Sequence, residues 1–325
     1  MLCCFVNINA QTFAIMFQST LIRIFRILVT AWAAATFVFI VLRLSGDPVA
    51  ALVPSDLPQD LIETYRARLG LDRSLPVQYV NYLVSVARGD FGYSFRTNEP
   101  ALALFLEQLP ATLILAGTAL LIAIVVGVTS GVIAALNRNT LIDRAFMTFS
   151  VFGFAMPNFF FGILLILLFT LNLRWLPSGG FEGWSSLVMP AATLGFAASG
   201  AYARMTRSAL LEVLNQPYIE MARAKGLTPS RVLVVHAMRA ITIPLVGLLG
   251  FSVGTMITGA VVTETVFAWP GVGRLLVVSV TERDLAVVQV VVVFSAIAMA
   301  LSNTLIDIAL GFLDPRIGTA RRNAG

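Results

Sequence analysis

The sequence predicts an all-α polytopic membrane protein with six transmembrane helices and a small helical insertion on the extracytoplasmic side. Of the 325 residues, 58% are hydrophobic and only 12% are charged, and a soluble domain of that composition could not cover its own surface. Several apolar runs approach the ~20 residues that a helix needs to cross a bilayer. Because these runs are continuous rather than alternating, they predict helices and not the strands of a barrel.

The fourth of the six predicted spans is the weakest, because it is short and rich in small residues. The runs are Ile27–Leu42, Ala111–Leu136, Ala145–Leu173, Leu187–Ala203, Ala240–Thr263 and Leu285–Ile306. The first run is short alone, so the first transmembrane helix is placed at residues 24–44. Pro157 lies inside the third run and can kink that helix. A plain bend and a substrate contact at Pro157 and Asn158 are both open.

Basic residues near the span ends set the predicted orientation. Most of them, including Arg138, Arg207 and Arg239, lie on one side, which the positive-inside rule makes cytoplasmic. Both termini are therefore expected in the cytoplasm, residues 1–23 as the N-terminal segment and 318–325 as the tail. The net charge of +5 is spread over membrane-flanking loops, so no nucleic-acid binding is expected. Residues 1–15 lack the basic start of a signal peptide, and Met16 is the favoured translation start.

Residues 45–110 form the predicted extracytoplasmic insertion. Four pieces are expected in it: a helix from Pro58 to Gly70, a helix from Ser74 to Gly89, an extended or turning piece at Asp90–Phe95, and an amphipathic interfacial helix at Pro100–Leu109. The insertion is either a lid over the bundle or a contact for a protein that delivers substrate, and the two roles are compatible.

The span centres hold no ionisable residue, which argues against ion coupling. Charged groups in mid-membrane are costly and usually bind or relay a driving ion. Here Glu264 and Asp307 lie at span ends, and the inner polar candidates are neutral, among them Thr255 and Thr258. No phosphate-binding loop occurs either, since the single Lys225 is followed by Gly-Leu. An ion-coupled secondary transporter or a channel is the alternative, and a nucleotide-driven system needs a partner that hydrolyses the nucleotide.

Neither a catalytic set nor a metal site is predicted. The two cysteines, Cys3 and Cys4, are adjacent, and His236 is the only histidine, so no nucleophile–base pair or metal-ligand spacing can be assembled. His236 is better explained as a hydrogen-bonding residue at a helix end. A membrane enzyme is therefore disfavoured.

A charged, glycine-broken segment between two spans is the most informative feature of the chain. It runs from Glu220 to Pro244, and it predicts two short helices rather than a plain connector. Pro217 can start the first helix, Gly226 breaks it, and Thr228-Pro229 caps the next. Two rigid helices that end at Pro244 could act on the fifth span as a lever.

A second segment, Glu264–Arg283, contains the turn Trp269-Pro270-Gly271-Val272-Gly273. It is either an interfacial loop or a re-entrant gate at the mouth of a pathway. The carboxylate of Glu264 could hold this loop or contact an amine of a transported substrate. Two G-x-x-x-G motifs, at Gly127–Gly131 and Gly250–Gly254, predict close helix packing.

From about Ile24 to Ile317 the chain resembles the permeases of dipeptide, oligopeptide and nickel ABC importers. The similar stretches, in chain order, are Gly46-Asp47-Pro48, Leu69-Gly70-Leu71-Asp72, Leu75-Pro76-Val77-Gln78-Tyr79, Gly89-Asp90-Phe91-Gly92-Tyr93-Ser94, Leu109-Pro110-Ala111-Thr112-Leu113, Ala222-Arg223-Ala224-Lys225-Gly226-Leu227, Glu264-Thr265-Val266-Phe267, Trp269-Pro270-Gly271 and Asp314-Pro315-Arg316. Each stretch is weak alone, and their common order makes chance similarity very improbable. In the family's EAA pattern Glu220, Ala222 and Gly226 match, while Met221 replaces the first Ala.

The resemblance implies a type I ABC importer permease in the inner membrane, with a five-helix core at 111–317 and a coupling loop at 204–240. The implied coupling residues are Glu220, Ala222, Arg223, Lys225, Gly226, Pro229, His236 and Pro244. The implied pathway and gate residues are Pro157, Asn158, Thr255, Thr258, Glu264, Trp269, Pro270 and Gly271.

The implied partners are a second homologous permease in a heterodimer, two ATPase subunits and a periplasmic solute-binding protein. ATP and Mg would bind the ATPases, with no cofactor on this chain. The expected cargo is di- or oligopeptides, and nickel, glutathione and opines are the alternatives within the family.

Overall fold

The computed structural model describes the backbone of residues 2–44 and 72–313, with side chains from Leu21 onward except at residues 42, 251, 255, 257–259 and 312. These ranges are mostly helical, and Tyr93 and Pro100 form an isolated β-bridge. The helices are α1 (Leu2–Leu44), α2 (Leu75–Ala87), α3 (Ala101–Leu136), α4 (Leu141–Ala155), α5 (Asn158–Leu165), α6 (Trp184–Leu214), α7 (Pro217–Ala224), α8 (Pro229–Arg231), α9 (Met238–Val266), α10 (Val272–Thr281) and α11 (Leu285–Leu313), with π-helical segments at Ile166–Asn172 and Val232–Ala237.

The helices that could cross a membrane number four within the described ranges, or five if a bent pair counts as one. They are Leu21–Val41, Ala101–Leu136, Pro229–Gly254 and Leu285–Gly311, and the bent pair is Leu141–Ala155 with Asn158–Asn172. All of them overlap predicted spans. The all-α membrane class is confirmed, and the count of six stays a prediction.

The predicted fourth span lies inside α6, which is too polar to count as a span by composition. Its small residues are explained by packing. A Cβ on Gly195 would lie 2.8 Å from the Ala119 carbonyl oxygen of α3, and one on Gly200 would lie 2.3 Å from the Ser150 carbonyl oxygen of α4. Since α6 is enclosed by its neighbours, its sequence does not need the aliphatic surface of a lipid-facing helix.

The predicted third span is not a kinked helix but two helices. α4 ends at Ala155 and α5 begins at Asn158, and their axes differ by 104°. Met156 and Pro157 both have extended backbone angles at the break. The proline ends one helix and starts the next, because the residue before it is disfavoured in helical geometry.

The predicted interfacial helix at Pro100–Leu109 is wrong as a separate element. Residues 101–109 are the first turns of α3, which continues through Pro110 to Leu136 without a break. The predicted helix after Ser74 is found as α2, and Gly89 follows it with φ +78°. The predicted Pro58–Gly70 helix and the Gly46–Pro48 and Asp314–Arg316 stretches lie outside the described residues.

The chain forms two compact units, the first from residues 1–107 and 278–304. In it α2 lies against α1, where the Tyr79 and Thr36 hydroxyls are 2.7 Å apart and Phe39 contacts the Tyr79 ring with centroids 5.2 Å apart. The Asp90–Phe95 piece is anchored in the same unit, because the buried Ser94 hydroxyl donates to the carboxylate of Asp284.

The second unit spans residues 108–277 and 305–325, and its described core joins α3, α6 and α9. Leu115 of α3, Leu194 of α6 and Met256 of α9 belong to one buried apolar cluster. The first G-x-x-x-G motif contributes to this core, because Cβ atoms on Gly127 and Gly131 would lie 2.5 Å from atoms of Tyr202 and Ala203. The Gly250–Gly254 motif stays a prediction.

Candidate docking segment and gate

The first candidate site is a run of short helices, residues 216–241, which we call the short-helix segment. Its first helix, α7, begins at Pro217 and carries Glu220 in its first turn, where an acid complements the helix dipole. Its end is a complete Schellman motif: the Gly226 amide donates to the Arg223 carbonyl and the Leu227 amide to the Ala222 carbonyl. Gly226 has φ +78°, so glycine is needed here for its backbone angle.

The inner face of the short-helix segment is apolar and buried. Ile219 and Ala222 of α7 and Val232, Ala237 and Ile241 beyond it form one cluster with Leu210 of α6 and Ala135 of α3. Leu227, the residue after the glycine, packs against this cluster. The segment is therefore held on α3 and α6 by burial, which is not directional.

The outer face of the short-helix segment is exposed and mixed in character. Met221 is 59% exposed and Tyr218 45% exposed, and the charged side chains of Glu220, Arg223 and Lys225 lie beside them at exposed positions. Such a combination of apolar anchors and charges is typical of protein-binding surfaces. Ala222 does not belong to this surface, since it is only 6% exposed.

Three expectations about the short-helix segment are wrong. The chain does not end a helix at Pro244, because α9 runs through this proline from Met238 to Val266. His236 is not at a helix end, because the π-helical segment that holds it continues directly into α9. Thr228 occupies the N-cap position of α8, but its side chain makes no capping hydrogen bond. Pro229 occupies the first position of α8, as expected.

The second candidate site is the turn from α9 into α10, residues 264–274, which we call the gate turn. Glu264 is fully buried there. One carboxylate oxygen accepts from the Thr112 hydroxyl at 2.7 Å, and the other accepts from the Arg274 amide at 3.0 Å. The Thr112 hydroxyl in turn accepts from the Val272 amide at 2.8 Å. Since both oxygens are engaged, these contacts fit the holding of the loop and not the capture of a peptide amine.

Trp269 also holds the gate turn against α3. Its side chain is fully buried, and its indole N–H donates to the Ala111 carbonyl at 3.0 Å. The Phe181 ring meets it edge-on with centroids 4.8 Å apart. Gly271 is required by space, because a Cβ there would lie 2.3 Å from the Glu264 carboxylate. The structure thus brings together Glu264, Trp269 and Gly271 of the predicted gate, with Pro270 between them.

The other predicted pathway residues are not part of the gate turn. Pro157 and Asn158 mark the break between α4 and α5. The side chains of Thr255 and Thr258 lie outside the described residues. Sequence reasoning missed Thr112 as a partner of Glu264. The only sequence feature that pointed to Thr112 was its place in the Leu109–Leu113 stretch. A contact between residues 152 positions apart produces no local sequence pattern.

An ion pair that sequence reasoning also missed joins α4 to α6. Arg207 donates through Nε and Nη2 to the two carboxylate oxygens of Asp143, at 2.6 and 2.7 Å. Asp143 also accepts from the Asn139 amide. Such a two-point contact fixes orientation as well as distance, and it lies one helical turn from Leu210 of the apolar cluster.

A cavity of about 450 Å³ lies between α3, α6 and the first half of α9. Its lining is mainly aliphatic, with Tyr202, Thr242 and Arg239 as the polar contributors. Within the described ranges, no three His, Cys, Asp or Glu side chains are placed to hold a metal ion.

Two family models match nearly the whole chain. Residues 16–116 match the N-terminal model of binding-protein-dependent transport system membrane components. Residues 127–319 match the model of the binding-protein-dependent transport system inner membrane component.

Curated relatives cover most of their own length and of this chain. The di/tripeptide transport system permease protein DppB of Pseudomonas aeruginosa is 39% identical over 319 residues, covering 89% of this chain and 95% of the relative. A probable peptide ABC transporter permease of Sinorhizobium fredii is 38% identical, covering 86% and 93%. The glutathione transport system permease protein GsiC of Escherichia coli K12 is 35% identical, covering 91% and 97%.

Solved structures show the same fold. The methionine ABC transporter MetNI in an inward-facing conformation matches with a TM-score of 0.57 and 20% identity, covering 65% of this chain and 96% of that chain. An amino acid ABC transporter matches with a TM-score of 0.50 and 17% identity, covering 64% and 94%.

Proposed function

The chain belongs to the family of binding-protein-dependent transport system inner membrane components, and we propose that it forms half of a peptide pathway in an ATP-driven importer. It is a multi-pass permease subunit of an ABC importer and not an enzyme. Peptide is the proposed cargo because two of the relatives are named for di/tripeptides or peptides and a third for glutathione, itself a tripeptide. No feature of the described chain favours an ion-coupled transporter or a channel.

The observation that carries the proposal is the two-faced short-helix segment. Its inner face is buried on α3 and α6, while its outer face presents Met221, Tyr218 and charged residues. We propose that this outer face binds an ATPase subunit. α8 and the π-helical segment run directly into α9, and α7 packs in the same apolar cluster as these residues. A displacement of the ATPase would therefore reach α9 through this packed cluster.

The proposed complex contains a second homologous permease, two ATPase subunits that hold ATP and Mg, and a periplasmic binding protein. The family membership implies the ATPases and the binding protein, and the heterodimer and the stoichiometry are part of the proposal. The cavity between α3, α6 and α9 is the proposed contribution of this chain to the pathway. Its aliphatic lining with few polar groups suits peptides of varied side chains.

The docking role is tested at Gly226, where aspartate and asparagine differ in charge but not in size. A Cβ at Gly226 meets nothing within 4 Å, and both residues tolerate left-handed backbone better than most. A charge buried against the ATPase costs desolvation free energy. Gly226→Asp should therefore recover several-fold less ATPase in co-purification, and less substrate-stimulated ATP hydrolysis, than Gly226→Asn. Equal results for the two variants would show that the ATPase does not bind this face.

The proposed orientation has both termini and the short-helix segment in the cytoplasm. A reporter after Arg231 should then be cytoplasmic, and one at Asp90 should be periplasmic. Cytoplasmic labelling at Asp90 would overturn the orientation, since it requires an error in the spans before it.

A further inference from the structure

The first turn of α10 is capped by residues that are distant in sequence. A helix begins with amides that have no partner inside the helix, and a local side chain usually satisfies them. Here the Val272 amide donates to the Thr112 hydroxyl, and the Arg274 amide donates to the Glu264 carboxylate. The cap thus comes from α3 and from the end of α9.

The hydrogen-bond directions within this cap are fixed. The Thr112 hydroxyl accepts from the Val272 amide, so its own proton is free to be donated to Glu264, at 2.7 Å. The carboxylate receives only donors, and it lies at the positive end of the α10 dipole. The arrangement is specific for a hydroxyl at position 112 and for an acceptor pair at 264.

Two glycines at the start of α10, Gly271 and Gly273, allow the backbone to approach Glu264 and α9 closely. A Cβ on Gly273 would lie 2.6 Å from Val261 Cα, and one on Gly271 would overlap the Glu264 carboxylate. α10 therefore starts flush against the last turns of α9. A purely structural anchor in a membrane protein can be apolar, whereas a buried carboxylate is costly and seldom present without a use.

We infer that Glu264 and Thr112 are positioning residues for transport: they tie the start of α10 to the end of α9 and to α3, so that the gate turn and these two helix ends move as one body when α9 is displaced. This inference rests on the proposed function, because it takes α9 as the element that the ATPase displaces. The cap is a directional contact, so the turn moves with α9 instead of sliding over it. Loss of the cap would free the gate turn while the short-helix segment stays as it is.

The test compares Thr112→Val with Thr112→Ser in the full complex with ATPases and binding protein. Valine keeps the shape and removes the hydroxyl, so the Val272 amide loses its acceptor, whereas serine keeps both hydrogen bonds. Thr118→Val is the matched control on the same helix, because the Thr118 hydroxyl bonds only to carbonyls of its own helix, at Ile114 and Leu115.

Two measurements distinguish loss of the cap from loss of ATPase binding. Peptide-level hydrogen exchange over residues 271–276 should be about tenfold faster in Thr112→Val and near wild type in Thr112→Ser and Thr118→Val. Uptake should fall by about fivefold or more in Thr112→Val alone, with ATPase co-purification unchanged in all three variants.

Unchanged exchange in Thr112→Val would overturn the inference, and so would faster exchange with normal uptake. Failure of the proposed function is distinguishable, since the wild-type complex would then take up no peptide while the exchange result still reports on the cap.

Discussion

The short-helix segment and the gate turn lie at opposite ends of α9 and share one backbone motif, yet they are held by different sets of contacts. α7 and α9 both end in Schellman motifs with matching hydrogen bonds, in which Gly226 and Ala268 occupy the left-handed position. The first region is then fixed by the burial of aliphatic side chains. The second adds to the burial of Trp269 a set of hydrogen bonds made by Glu264, Thr112 and the Trp269 indole. Apolar contacts tolerate small sliding movements, whereas hydrogen bonds tie a position to one partner.

This difference suggests a division of labour along α9. The short-helix segment, which adapts to a moving partner, is held by non-directional contacts. The gate turn, which has to move together with α9, is held by directional ones. The substitutions predicted here affect the two regions one at a time, and a similar response at both would break the distinction.

The largest effect is expected for Glu264→Leu. The substitution leaves the half-buried Thr112 hydroxyl and Arg274 amide without an acceptor, and each unpaired donor costs up to about 1–3 kcal/mol. The thermal midpoint of the purified complex should fall clearly, and uptake should fall with it. Glu212→Leu, at an exposed position of α6, is the control and should keep the midpoint. A Glu264→Leu complex as stable as wild type would mean that the polar cap contributes nothing.

An intermediate effect is expected for Ala222→Leu in the short-helix segment. Ala222 faces the apolar cluster, and overpacking of such a site costs about 1–3 kcal/mol. Ala224→Leu on the same helix points to an exposed position and should leave the midpoint near wild type. Equal midpoints for the two variants would contradict the inward orientation of Ala222.

A smaller effect is expected for Gly226→Ala. The residue has φ +78° and open space around its Cβ position, so the cost is conformational only, about 1 kcal/mol. Thermal denaturation should show a modest fall, and Gly226→Asn should lose less than Gly226→Ala. The reverse order of the two variants would show that space and not backbone angle governs the position.

The smallest effect has the opposite sign. Ala268 occupies with φ +46° the position that Gly226 occupies in α7, so Ala268→Gly relieves strain of the left-handed region. The midpoint should rise by about 2 °C. A fall would indicate that the methyl group of this exposed alanine makes a contact that outweighs the strain.

The sequence predicted the elements of both regions better than their contacts. Pro217, Gly226 and Pro229 are local signals, and each one marks a helix end in the structure. Pro110 and Pro244 carry the same signal but stand inside unbroken helices, because neighbouring helices stabilise a long span despite one lost hydrogen bond. Whether a proline ends a helix or lies inside one therefore depends on whether it belongs to a long apolar run, and the proline alone does not decide it.

Long-range pairs were beyond prediction from one sequence. Thr112 with Glu264 and Asp143 with Arg207 join positions that no periodicity connects. The inward direction of Ala222 was equally hidden, since it depends on which face of α7 meets α6. The bend predicted at Pro157 has the right position, but the expected kink is smaller than the 104° angle between the two helices. So large an angle depends on how the second helix packs, which the sequence does not show.

The most direct test of the central claim is the energy source of transport in liposomes that contain this permease, its partner permease, the ATPases and the binding protein. Peptide accumulation should require ATP and the ATPase subunits, and it should be indifferent to an imposed proton or sodium gradient. Replacement of Asp307 by Asn should leave that fuel unchanged. Accumulation driven by an ion gradient without ATP would contradict the assignment of this chain to an ATP-driven importer.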